Sequence, residues 1–164
     1  MGADEIEIRP YRAGDEHRIA RVFFDSVRQV GIRHYSAAQV EAWAPSPPVL
    51  GDVLARLADG RLTLVAVDAS GAVVGYGDLE PDGHIDHLYC APEAVGIGVG
   101  GRLVAALLDA AEQQGIAALS VEASDAARPV FERHGFVVIA RNGLVRHGVA
   151  LHNWSMARHG ATSR

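Results

Sequence analysis

Cysteine is almost missing from this chain of 164 residues: Cys90 is the only one, so no internal disulfide can form. A reducing, cytoplasmic setting is the expectation. Long apolar runs are missing too. No stretch approaches the roughly 18 consecutive apolar residues of a membrane span, so no membrane partner is expected. Basic charge is not in excess. The formal net charge is −5 and the pI near 5.9, which argues against the broad basic face that nucleic-acid binding requires. The segment Met1 to Arg12 has no basic region leading into an apolar stretch, so it does not read as a signal peptide. There is no Gly-Lys-Ser/Thr phosphate loop and no G-x-S-x-G elbow. His84 and His87 diverge on a strand and have no clustered third ligand, while His147 and His152 add little, so no metal is expected.

What is present suits one globular domain. Apolar residues make up 49% and charged residues 21%, enough for a core and too few charges for wholesale disorder. No linker or repeat divides the chain, so residues 1–164 read as a single domain, ordered from about 5 to 157. Ile6 and Ile8 alternate with acidic residues as a first strand. Ile19, Val22, Phe23, Val27 and Val30 share one helical face, with Gly31 as a plausible stop. Ser36 caps a short helix through Trp43, and Val49 to Ala58 forms another. Leu62 to Val67, Ala72 to Leu79 and His84 to Cys90 read as an antiparallel meander joined by Asp68-Ala69-Ser70-Gly71 and Pro81-Asp82-Gly83 turns. A helix from Gly98 to Gln114 follows, then a strand from Ile116 to Glu122 and a helix from Asp125 to His134. Two last strands, Phe136 to Ala140 and Val149 to Met156, precede a frayed tail from Ala157 to Arg164.

The segment Pro92-Glu93-Ala94-Val95-Gly96-Ile97-Gly98-Val99-Gly100-Gly101-Arg102-Leu103 carries most of the functional information. It joins a strand to a strongly patterned helix. Glycines let the backbone approach a ligand closely, and the first helical N–H groups and the helix dipole then favour a diphosphate. Gly96, Gly98 and Gly101 also satisfy the G-x-G-x-x-G dinucleotide fingerprint, with Glu122 at a strand end 21 residues after Gly101. Context argues against that use. Pro92 and its neighbours separate the strand from Gly96, and the preceding strands arrive through hairpin turns rather than helical crossovers.

Val95-Gly96-Ile97-Gly98-Val99-Gly100 resembles the pyrophosphate loop Q/R-x-x-G-x-G/A of the GNAT superfamily of N-acetyltransferases, with Val95 in place of Gln or Arg. The segment Ala127 to Phe136 resembles the family's late helix ending in Gly-Phe. The resemblance is best from Leu62 to Phe136, and the order of elements agrees over nearly the whole chain. It implies an α/β fold: a single domain with a mixed, mainly antiparallel seven-strand sheet and helices on both faces. It implies acetyl-CoA as cosubstrate, with backbone groups of Leu88, Tyr89 and Cys90 along the pantetheine arm. The amides of Gly96, Ile97, Gly98, Val99, Gly100 and Gly101 would hold the pyrophosphate. The acceptor would be a small-molecule or peptide amine. A homodimer across a sheet edge near Val149 to Met156 is a further expectation from the fold.

Attack of an amine on a thioester needs a base, and the leaving thiolate takes a proton. His84 and Asp86 lie two apart on one strand face and occupy positions where the family often keeps its base. They are the catalytic candidates, His84 because it titrates near neutral pH. His87 would face the other way unless a bulge re-aims it. Phe131 stands where the family usually has a Tyr acid, so the thiolate leaves unprotonated, takes its proton from water, or is served by another group, with Tyr35 and Tyr89 as candidates. Cys90 reads as a small apolar residue. Glu122, His34 and Tyr35 are the candidate acceptor-binding residues, beside Arg33 and Trp43. A CoA-binding regulatory domain without catalysis is the alternative reading.

Overall fold

The computed structural model describes residues 2–160. Two four-stranded sheets share the chain. The first runs β1(Glu7–Pro10), β2(Leu62–Val67), β3(Val73–Leu79), β5(Leu88–Cys90), all antiparallel. The second runs β4(His84–Ile85), β6(Ala118–Ala123), β8(Val149–His159), β7(Val137–Arg146), and its β4–β6 pair is parallel. The expected strand from His84 to Cys90 is therefore broken. Its first two residues belong to one sheet and its last three to the other.

A buried carboxylate causes the break. Asp78 of β3 is 1% exposed. Its Oδ1 accepts the backbone N–H groups of Asp86 and His87 at 2.9 and 3.0 Å. Those N–H groups are thereby satisfied without a strand partner, and the chain can leave β6 and turn to β3. Ahead of the break, the Gly83 turn fixes β4 on β6. A Cβ at Gly83 would sit 2.3 Å from the Ala118 carbonyl, so only glycine fits there.

Helices cover both faces. α1(Glu16–Asp25) and α3(Leu50–Leu57) pack together, with α1 on β3, and α4(Val99–Gln113) packs on β2, β3 and β5. Leu103, Val104 and Leu107 of α4 are fully buried, and truncating such a leucine to alanine costs about 2–5 kcal/mol. α1 does not stop at Gly31. It continues through a π-turn, Ser26–Val30, and a 3-10 turn, Gly31–Arg33. α2(Ala37–Trp43) starts at Ser36, whose hydroxyl accepts from Gln39 N while the Gln39 side chain accepts from Ser36 N. This reciprocal cap satisfies two of the end groups the helix would leave free. α5(Arg128–Arg133) lies against α4.

The final hairpin differs from its sequence reading. β7 and β8 are longer than expected, and Ala157, Arg158 and His159 pair with β6 instead of fraying. Residues 161–164 of the expected tail lie outside the described residues. The segment from Val149 to Met156 is not a sheet edge, because β8 is paired on both sides. β7 is the edge, with Val137, Ile139 and Val145 exposed.

Candidate active site

A cleft of about 340 Å³ opens between β5, the glycine loop and the segment that follows β6 into α5, where Ser124, Ala127 and Val130 line it. Leu88, Tyr89 and Cys90 form one wall. Gly96, Gly98, Val99, Gly100 and Gly101 line the same space, and so do His34, Tyr35 and Arg133. Eight of the nine backbone positions expected to hold the cofactor therefore meet in one cleft. Ile97 does not line it and packs against the core instead.

The loop's glycines are required by the turn into α4. Gly96 and Gly98 have φ of 86° and 87°, a region that side chains with a Cβ avoid. Gly98 is the helix N-cap, and the first helical hydrogen bond back to it comes from Arg102 N. The N–H groups of Val99, Gly100 and Gly101 thus have no intrahelical partner and sit at the positive end of the helix dipole. Arg33 and Arg133 add charge to the cleft, and neither forms an ion pair among the described residues. They supply cationic character that Val95, 37% exposed, cannot.

Tyr35 fixes the segment before α2 to the far wall. Its hydroxyl donates to the His152 carbonyl at 3.2 Å and accepts from Asp125 N at 3.0 Å. Asp125 in turn takes hydrogen bonds from His152 Nε2 and from Trp154 Nε1. Burial raises the Tyr35 pKa above its ordinary value. Tyr89 also lines the cleft, and burial raises its pKa still further. Its hydroxyl has no hydrogen-bond partner among the described residues. Burial pushes the Cys90 thiol up to about 12, which keeps it a thiol at neutral pH. Phe131 is wholly buried, edge-on to Phe136.

His84, Asp86 and Glu122 stand beside this cleft rather than in its lining. The break in the strand separates His84 from Asp86. His84 Nδ1 meets Glu80 Oε2 at 2.5 Å, and its Nε2 meets Glu122 Oε2 at 2.5 Å. Ionised carboxylates only accept, so a ring placed between two of them is satisfied as imidazolium. Partial burial opposes that charge, but the ring's hydrogen bonds to Glu122 and Glu80 outweigh it and raise the His84 pKa. Asp86 lies instead with Arg56 at 2.6 Å and Arg61 at 3.3 Å, which also hold Asp78. Burial works against its charge, and His87 and Arg56 overcome that to lower its pKa. His87 is re-aimed by the break and bonds the Tyr76 hydroxyl through Nδ1 at 2.9 Å. Burial lowers its pKa to about 4.

Sequence reasoning missed Asp78, Glu80, Arg56, Arg61, Asp125 and His152. Asp78 had a readable signal, since it is one acid in the otherwise small and apolar run Val73–Leu79. The others come together only through folding. Among the described residues no group of three or more His, Cys, Asp or Glu side chains is arranged to hold a metal ion. No helix among them is long and apolar enough to cross a membrane.

The acetyltransferase (GNAT) domain model matches residues 32–158, most of the chain. The chain belongs to the GNAT acetyltransferases. A GCN5-related N-acetyltransferase from Rhodopseudomonas palustris is 38% identical, covering 93% of this chain and 94% of that one, with a TM-score of 0.84. YafP of Escherichia coli K12, described as an uncharacterised N-acetyltransferase, is 28% identical over 153 residues, 93% of this chain and 95% of its own. A phosphinothricin acetyltransferase from Sinorhizobium meliloti, solved with acetyl-CoA, shares the fold at 22% identity, with a TM-score of 0.75 over 95% of this chain and 89% of that one.

Proposed function

We propose that the enzyme transfers the acetyl group of acetyl-CoA to a primary amine by direct attack on the thioester. The observation that carries this reading is the single cleft that joins the Leu88–Cys90 strand to the glycine loop and the free N-terminus of α4. The arm lies along β5, and the pyrophosphate is received by the loop amides with Arg133 nearby. In the reaction the amine nitrogen bonds the acetyl carbon, the carbon–sulfur bond breaks, and the thiolate leaves. The amine gives up one proton and the thiolate takes one.

The residues beside the cleft suit the amine's proton. Glu80, Glu122 and Asp86 make an acidic surround that favours an acceptor arriving as a cation. The Glu122–His84–Glu80 array then receives the proton, with His84 active as a base above its raised pKa. Asp86, tied to two guanidiniums, is a weak base and serves the electrostatics of the site. Tyr89 is the proton donor to the thiolate, because the Tyr35 hydroxyl proton is already given to a carbonyl. The chain contains no lysine, so no side-chain amine of its own competes with the acceptor.

The test is calorimetric titration with acetyl-CoA, with NAD as control ligand, followed by an amine screen that reads the released thiol. Saturable acetyl-CoA binding without NAD binding is the expected result. Absence of acetyl-CoA binding overturns the reading, and NAD binding in its place would favour the dinucleotide fingerprint.

A further inference from the structure

A second cavity of about 200 Å³ lies between α1, α3 and the first sheet. Ala20 and Phe23 of α1, Val53 of α3, Thr63 of β2, Tyr76 of β3 and His87 are among its walls. No residue lines both this space and the cofactor cleft. An aromatic partition separates them. Phe23 stacks on His87 with ring centroids 5.5 Å apart, and meets Tyr89, a cleft residue, edge-on at 4.9 Å.

The polar groups of this cavity indicate what it suits. Thr63 is buried, at 6% exposed, and its Oγ1 has no hydrogen-bond partner among the described residues. Buried hydroxyls are nearly always paired, and leaving one unpaired costs stability. Rotation about χ1 exchanges its hydroxyl with its methyl, so the oxygen can be turned to meet an occupant. His87 is neutral at ordinary pH, since burial holds its pKa near 4. Its Nδ1 shares a hydrogen bond with the Tyr76 hydroxyl at 2.9 Å. Arg56 and Asp78 of the wall are paired at 2.6 Å, and Asp52, the other carboxylate of the lining, is exposed to solvent. The space is thus mainly apolar, with its buried charges paired and one buried unmatched hydroxyl. A dry cavity of about 150 Å³ already accepts a benzene ring, whereas an unpaired charge would be expelled.

We propose that this second cavity is a binding site for a small, uncharged, mainly apolar molecule carrying one oxygen that hydrogen-bonds Thr63. The occupant rests against His87, whose main chain forms the break held by Asp78 and precedes Leu88 of the cofactor wall. The site therefore lies next to the reaction without opening onto the cofactor.

The probe is phenol, titrated by calorimetry against the full chain, with toluene as the partner lacking oxygen. Saturable phenol binding that persists under saturating acetyl-CoA is expected. Thr63→Val keeps the shape and removes the hydroxyl, so phenol should bind about threefold to tenfold more weakly, with toluene unchanged. The variant should be at least as stable as the parent. Ala20→Leu fills the space and should abolish both, and if it fails to fold, the Thr63→Val comparison decides. The proposal is overturned by no saturable phenol binding to the parent, by phenol affinity unchanged in Thr63→Val, or by displacement of phenol by acetyl-CoA. Loss of acetyl-CoA binding alone counts against the acetyl-transfer reading and leaves the cavity result standing.

Discussion

Asp78 and His87 are bound to each other twice: the Asp78 carboxylate accepts the His87 N–H at 3.0 Å, and the Asp78 N–H donates to the His87 carbonyl at 3.1 Å. The same carboxylate takes Asp86 N and two guanidiniums, so four donors converge on one buried side chain. The split between the two sheets depends on it.

Asp78→Ala should therefore be among the most damaging single changes in the protein. It strips two backbone N–H groups of their acceptor and leaves Arg56 and Arg61 short of a buried partner. A loss of about 3–5 kcal/mol is expected by denaturant unfolding. Asp78→Asn keeps one acceptor oxygen and should lose less, about 1–3 kcal/mol. Equal stability of Asp78→Ala and the parent would show that the break is held by other contacts.

His87 predicts an acid-sensitive window. Its folded pKa near 4 lies below the ordinary 6.5, so between those values the unfolded chain binds the extra proton. Stability from this group is intact above about pH 6.5, falls as pH drops toward 4, and is level below that, a total of up to about 3 kcal/mol. His87→Gln should flatten that part of the stability–pH curve. An unchanged slope between pH 6.5 and 4 in the variant would refute the assignment.

His84 runs the opposite way. Its folded pKa is raised, so its contribution to stability is full below 6.5 and fades as pH climbs through the folded value. Nuclear magnetic resonance of the ring should show titration above 6.5, and Glu122→Gln should bring it down by removing one of the two carboxylates. The acetyl-transfer rate should rise with pH through the same value, since the base must be unprotonated. A His84 titration below 6.5 in the parent would contradict the double-carboxylate arrangement.

Tyr89→Phe tests the proton donor. Acid catalysis by one side chain contributes about 10²–10⁴-fold, so a drop of at least about 10²-fold in kcat with little change in acetyl-CoA affinity is expected. A kcat within a factor of two of the parent would mean that the thiolate is protonated from water.

The sequence made the elements readable and left their connections unread. Ser36 announced α2 because a cap is a local device, legible in a few residues. The glycine loop was legible for the same reason: positive φ at Gly96 and Gly98 demands glycine wherever the chain goes next. The strand from His84 to Cys90 was misread as continuous because its break is imposed by Asp78, from the neighbouring strand. Pairing His84 with Asp86 followed from that continuity. Glu80 lies close to His84 in sequence, but the bridge needs Glu122 as well, and periodicity does not report such a meeting. β8 was underestimated because Ala157 to His159 show no strong strand pattern and gain their place from pairing with β6.

That placement bears on how the molecule assembles. β8 lies between β6 and β7, yet it follows both in the chain. During synthesis, β6 and β7 leave the ribosome with a gap between them that only later residues can fill. β1, β2, β3 and β5 need no such late arrival and can pair as they emerge. The first sheet is thus available early, while the second waits for the insertion of a strand, which makes unpaired β6 and β7 the natural point of chaperone contact or of mispairing between nascent copies.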